Sequence, residues 1–260
     1  MSGQTSTSSL RYVVEGTATN AAAAVAEAGT KPESTVALST KDEPVKKLAT
    51  VLTVSDEMLE DVQQVQSYIN GRLSLFVQIQ SEASIVSGAG TNDLVGLTAG
   101  ARACNIYPRG TVDTNAVALF KAMNGQRGSA FLEPDFIVMN PANWQATRLA
   151  TDTAGQFFGG GPFMGQYGSG ANLPLSGQIT GVQDSIWNKP VVVTTAIGSG
   201  TALVGTQSAA QVWSRGGLTV EATNSHSTYF TSNLVAIRAE RRLALAVYRP
   251  TAFTIVTGLA

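Results

Sequence analysis

Apolar residues at Leu59, Val62, Val65, Ile69, Leu73, Phe76, Ile79, Ala83 and Val86 recur at steps of three or four. That spacing predicts one long helix over about 56–87. Ser55 stands where an N-cap is expected, Asp56 and Glu57 suit the positive end of the helix dipole, and Gly88-Ala89-Gly90 ends the pattern. Gly71, inside the stripe, is expected to weaken or bend the helix. Ahead of it, Thr35–Ser39 and Val45–Val54 have β character, with the charged, proline-containing stretch Lys41-Asp42-Glu43-Pro44 between them. They predict a long hairpin over 31–54 whose charged tip points away from any core. Residues 1–30 are rich in Ser, Thr, Ala and Gly, with a β-like stretch at Leu10–Gly16, and form no core alone.

The pattern changes after residue 113. Asp113–Met123 predicts a helix, Asp135–Met139 a buried strand and Pro141–Leu149 a short helix begun by proline. A Gly-rich loop at Gly159–Pro162 and strands at Pro190–Thr195 and Ala202–Gly205 complete an α/β module. The remainder is β-rich, at Leu218–Ala222, Ser232–Tyr248 and Ala252–Thr257. Arg238, Arg241 and Arg242 interrupt the apolar alternation of Asn233–Tyr248, so one face of that strand is wet or paired.

Composition narrows the function. The 260 residues are 43% hydrophobic and only 13% charged, which predicts a near-neutral surface prone to association. A net charge of −1 excludes a strongly basic nucleic-acid footprint for the whole chain. Cys104 is the single cysteine, so no intrachain disulfide forms, and it reads as a small buried hydrophobe. The polar start has no signal-peptide core and no apolar run spans a bilayer, which fits a soluble protein made in a reducing cytoplasm. His226, the single histidine, has no second His or Cys to build a zinc site, and no Gly-x-Ser-x-Gly elbow occurs. Gly159–Gly165 lacks the Lys-Ser/Thr of a phosphate loop, and Gly198-Ser199-Gly200 precedes a strand, not a helix. Lys46-Lys47 and Arg241-Arg242 read as solvated pairs or subunit salt bridges. No cofactor and no metal is expected.

Several stretches together resemble the tailed-bacteriophage major capsid family, whose fold is shared with encapsulins. They are Val25-Ala26-Glu27 leading into Lys31-Pro32-Glu33-Ser34, then Val54–Asp61, Ser67–Leu73 and Ser87–Asn92. Val138-Met139-Asn140-Pro141, the Phe158–Pro162 loop, Asn233–Glu240 and Arg242–Pro250 continue the series in order over nearly the whole chain. The resemblance implies an α+β phage major capsid fold: a peripheral domain of long spine helix plus β strands, an axial α/β domain and an extended β-hairpin loop. Its parts fall at 1–30 (N-terminal strand segment), 31–54 (extended loop), 55–110 (peripheral domain with the spine helix), 111–207 (axial domain) and 208–260 (peripheral C-terminal strands). The similarity begins almost at Gly3, whereas members commonly carry an N-terminal arm.

The resemblance also implies partners. Copies of the chain are expected to form the pentamers and hexamers of an icosahedral shell, with Lys41, Asp42, Glu43 and Lys46 in intersubunit contacts. Portal, decoration and scaffolding proteins and non-specifically held double-stranded DNA are the other partners, with no membrane. Assembly in a host bacterial cytoplasm would place the chain in the virion. Some members join subunits by an isopeptide bond between a loop lysine and a neighbour's asparagine, assisted by a glutamate of a third subunit. Matched motif to motif, these are Lys31, Asn233 and Glu240. The lysine must lose a proton from a group whose free pKa is about 10.4. A dry pocket, to which Val25 would contribute, lowers that value, and the glutamate accepts the proton. Arg238, two residues before Glu240, is expected to oppose this by pairing with the carboxylate. The plainer reading keeps these residues for structure alone.

Two other functions compete. An encapsulin-like compartment would share the fold and enclose a cargo enzyme. A monomeric α/β enzyme or binding module would need an active site that the residues do not supply.

Overall fold

The computed structural model describes residues 2–61, 63–151, 155, 157, 184–226 and 228–260, the side chains at 61, 63 and 64 excepted. The expected Gly159–Pro162 loop and Val62 of the helical stripe lie outside the described residues. In chain order the first elements are β1 (Ser2–Gln4), β2 (Ser9–Thr19), β3 (Thr35–Pro44), β4 (Lys46–Ser55), α1 (Asp56–Asp61) and α2 (Gln63–Ser87). Then come β5 (Asn105–Pro108), α3 (Asn115–Ala130), β6 (Phe136–Met139), α4 (Pro141–Arg148), β7 (Ser185–Ile186), β8 (Lys189–Val193) and β9 (Thr201–Gly205). The last are β10 (Ala210–Ser214), β11 (Thr219–Thr223), β12 (Leu234–Val247) and β13 (Phe253–Thr257). The chain divides into two compact units: Met1–Tyr12, Thr40–Ala99 and Gln211–Ala246 form one, and Val13–Ser39, Gly100–Ala210 and Val247–Ala260 the other.

The first unit is organised by β12. It pairs antiparallel with β4 from Leu234↔Ser55 to Leu243↔Lys46, and with β11 from Ala236↔Thr223 to Glu240↔Thr219. Because side chains alternate along a strand, Ile237 and Ala239 turn to one face and Arg238 and Glu240 to the other. Ile237 and Ala239 pack with Val54 against Ile69, Leu73 and Val77 of α2. The buried face of α2 departs from the expected stripe in its second half. Phe76 and Ile79 are 44% and 51% exposed, while Ser81 and Ser84 are buried. Ser81 satisfies its hydroxyl by donating to the Val77 carbonyl at 2.6 Å, so small serines can fill the helix-to-sheet gap that a larger apolar residue would overfill.

Helix α2 runs unbroken through Gly71, where a Cβ would meet nothing within 4 Å. It ends at Ser87, before the expected glycines. The chain then doubles back along it: Leu97 N–H donates to Ile85 O and Thr98 N–H to Val86 O, each at 2.9 Å. A Cβ at Gly88 or Gly96 would strike backbone atoms of the opposing strand of this return, so both positions require glycine. Ser55, expected as an N-cap, is the last residue of β4, and the Asp56 N–H donates to the Asn233 carbonyl at 2.9 Å.

The second unit is built on a six-stranded sheet in the order β5-β13-β9-β6-β8-β7. Ala118, Leu119, Ala122 and Met123 of α3 pack on Ile137, Met139, Val191, Ala202, Val204 and Val256 of this sheet. Thr114 caps α3 by accepting from the Val117 N–H at 3.3 Å. Asn140 caps α4 by accepting from the Ala142 N–H at 3.0 Å, with Pro141 in the first turn. The expected end of α3 at Met123 falls short, because the helix continues to Ala130 on a buried Gln126 whose amide donates to Thr206 Oγ1 at 2.8 Å.

Two expectations are corrected. The arms 35–39 and 45–54 do not pair with each other. β3 pairs with β2, and β4 pairs with β12. Lys41–Pro44 is the end of β3, not a turn, and the hairpin tip lies at 20–34. The physical reason lies in β4: its buried Leu48 and Val54 are satisfied by packing in the β12 sheet, whereas β3 is exposed along almost its whole length. The second correction concerns the last strand and residues 100–110. β13, assigned with the C-terminal peripheral strands, lies between β5 and β9 in the interior of the second unit's sheet. Its Phe253, Thr254, Ile255 and Val256 are all buried, as a central strand covered on both faces requires.

Candidate functional site

The candidate cross-link residues sit at distinct places. Lys31 is exposed, in the connection between β2 and β3, and Val25 in the same connection is 40% exposed. Asn233 is exposed and precedes β12 in the left-handed region, at φ 49°, which asparagine tolerates better than most residues. A short turn holds it: Ser232 N–H donates to Thr228 O at 3.1 Å, and Leu234 N–H to Tyr229 O at 2.9 Å.

Glu240 lies on β12, on the face turned away from α2, with its side chain 18% exposed. Three cations surround it. Lys47 Nζ is 3.7 Å from Oε2, Arg238 Nε 3.6 Å from Oε2 and Arg242 Nη2 3.9 Å from Oε1. Arg238 pairs with Glu240 as expected and also holds Glu221, more closely, at 2.6 Å. β12 rises about 3.3 Å per residue, so Asn233 and Glu240 are about 23 Å apart in one chain. They can meet only between copies.

The proposed contact residues Lys41, Asp42 and Glu43 lie on β3 and Lys46 starts β4. Asp42 pairs with Arg11 of β2 at 3.6 Å, and Lys46 Nζ donates to the Thr91 carbonyl at 3.1 Å. Lys41 and Asp42 are exposed.

Other chemistry is confined. Among the described residues no group of His, Cys, Asp and Glu could hold a metal. His226 packs edge-on against Tyr229 at 5.3 Å. Burial pushes the Cys104 thiol up to about 11, so it is protonated at neutral pH. Glu133 accepts from Arg127 and bonds Lys189, and these two cations hold its carboxyl down to about 2. No described helix is long and apolar enough to cross a membrane.

Sequence reasoning missed the concavities among the described residues, two of which bear on function. An apolar cavity of about 470 Å³ opens in the second unit between the start of α3 and Trp187, whose indole donates to Ala116 O at 2.9 Å. A cleft of about 250 Å³ in the first unit is walled by Arg215, Arg241 and Arg242, with the Gly216-Gly217 turn and Glu240. The Arg241-Arg242 pair was visible as a sequence feature, but Arg215 joins it only through the Arg215 N–H bond to Arg242 O at 3.0 Å.

The profile of the Phage capsid family matches residues 1–258. The major capsid protein of Enterobacteria phage HK97 is 36% identical over 252 residues, which cover 96% of this chain. The chain spans 61% of that relative's length. Among solved structures, a chain of Gordonia phage Cozz superposes with a TM-score of 0.70 at 17% identity, covering 98% of this chain and 82% of the other. A chain from the capsid of the native GTA particle gives 0.71 at 16% identity, covering 100% and 88%. Mycobacterium phage Adephagia gives 0.71 at 15%, covering 98% and 87%. The structural matches carry the fold, the profile and the HK97 relative carry the kinship, and the chain belongs to the phage capsid family.

Proposed function

We propose that this chain is the major capsid protein of a tailed phage, a structural subunit whose copies form a closed icosahedral shell. The observation that carries this is the 36% identity to the HK97 major capsid protein over 96% of the chain. The exposed β2–β3 ribbon supports it, since a two-stranded ribbon without a sheet around it is marginal in water until a neighbour covers it. The same reading extends to pentamers and hexamers, to portal, scaffolding and decoration proteins, to packaged double-stranded DNA, and to assembly in a bacterial cytoplasm. The test is electron microscopy of the purified protein and of the particles it forms. Closed shells with nuclease-protected DNA after infection support a phage capsid, and shells holding a cargo enzyme support an encapsulin-like compartment. Monomers at all concentrations contradict both.

Covalent joining of subunits deepens this reading. Lys31 Nζ of one copy attacks the side-chain amide carbon of Asn233 on a second. Glu240 of a third accepts one ammonium proton and returns it to the departing amide nitrogen, the second proton leaves with that nitrogen, and an isopeptide bond forms as ammonium is released. The separation of Asn233 from Glu240 along β12 supports the use of different copies. On a denaturing gel, mature particles are expected to give ladders that Lys31→Ala and Glu240→Gln both abolish. A single monomer band from mature shells contradicts the cross-link and leaves the shell reading intact.

A further inference from the structure

We infer that the arginine cleft of one copy receives the acidic start of the spine helix of a neighbouring copy. The occupant is Asp56, Glu57 and Glu60 of a second chain, and the contact sets Asn233 of that chain beside Glu240 of the first. The inference rests on the shell reading for the existence of neighbours.

Three observations within the first unit carry it. The acids are exposed, and none of the three forms an ion pair among the described residues. The arginines are similarly unspent. Arg215 and Arg241 form no ion pair among the described residues, and Arg242 reaches only Glu240, at 3.9 Å. The second observation is geometric. The acids follow Ser55, which pairs with Leu234 at one end of the β4–β12 ladder, whereas Arg242 pairs with Lys47 near the other end. At about 3.3 Å per residue, Leu234 and Arg242 are about 26 Å apart, so a chain cannot neutralise itself this way. Complementary patches at opposite ends of one surface join head to tail, an arrangement that forms a ring when the rotation between copies closes.

The third observation ties the contact to the cross-link. The Asp56 N–H donates to the Asn233 carbonyl, so the acidic turn carries Asn233 with it. The cleft is walled by Glu240 itself. Docking acid turn into arginine cleft therefore brings together Asn233 and Glu240, which one chain holds about 23 Å apart. A single exposed ion pair adds little, but three acids against three arginines, repeated around every ring, orient the subunits and reject other registers.

The test is a charge swap in shell assembly. D56K/E57K and R215E/R241E are each expected to lower the yield of closed shells at least tenfold by sedimentation, with folding checked by circular dichroism. Where Arg241→Glu disturbs the sheet, Arg215→Glu alone replaces the pair. The combined acid and base swap is expected to restore the yield to within about threefold of wild type. Wild-type yields from either reversal, or no restoration in the combination, overturn the inference. A second measurement reads position directly. Glu57→Cys with Gly217→Cys, in a Cys104→Ser background, is expected to give disulfide ladders longer than dimers from oxidised shells, and shells giving none overturn it. Normal shells of R215E/R241E that retain less DNA also overturn it, since the cleft would then hold nucleic acid phosphate. Loss of the isopeptide ladder in Lys31→Ala leaves the swap result unchanged, so the two readings fail separately.

Discussion

At the residue scale, several positions have one permissible identity. Gly88 and Gly96 face each other where the chain returns along α2, and a Cβ on either meets backbone and not a movable side chain. Gly96→Ala is therefore expected to destabilise the chain by about 1–3 kcal/mol, the usual range for overpacking, in a denaturant melt. Gly71, which faces open space, is expected to accept alanine and gain up to about 1 kcal/mol of helix propensity in the same assay. Glu133 offers a pH signature. Its carboxyl is held at about 2, below the ordinary value of 4.5, by the Arg127 and Lys189 hydrogen bonds. A depressed carboxyl contributes stability that is present above the ordinary value and is lost as pH falls from 4.5 toward 2. Stability of Glu133→Gln measured over that window is expected to fall less steeply than that of the wild type, and parallel curves contradict the pairing.

At the element scale, the long helix, the strands of the α/β module and β12 were legible because their periods are local properties of the chain. The hairpin was not. Thr35–Ser39 and Val45–Val54 have equal β character, and strand pattern alone does not name a partner. The choice was made by burial: Leu48 and Val54 find a sheet and a helix to cover them, and β3 has no such face. The stripe on α2 was misread at Phe76 and Ile79, though not at buried Val86, for a related reason. Ser81 and Ser84 look polar in sequence, yet their small volume suits the close packing there, leaving Phe76 and Ile79 outside. Removing residues 38–45 would take out most of strand β3, whereas shortening the 20–34 connection leaves both strands paired. A chain lacking residues 22–33 is expected to fold with wild-type circular dichroism and to form at most a tenth of the wild-type shell yield. Normal particles from this deletion contradict an arm that reaches a neighbour.

At the scale of the whole molecule, the candidate site was legible as residue types but not as a place. Lys31, Asn233 and Glu240 could be matched to family motifs, and β12 then proved to separate two of them by a distance no rotamer spans. Arg238, expected to pair with Glu240, does so at 3.6 Å and also holds Glu221 at 2.6 Å. On the proposed reading a monomer has no complete site, and its acids without an ion pair among the described residues, its arginine cleft and its exposed ribbon are the surfaces that other copies would cover. Self-assembly is the property that makes these features consistent. Electron microscopy of the purified chain, concentrated under assembly conditions, tests it most directly. The account predicts closed shells built from rings of this subunit, and a population that stays monomeric at every concentration and salt tested would contradict it.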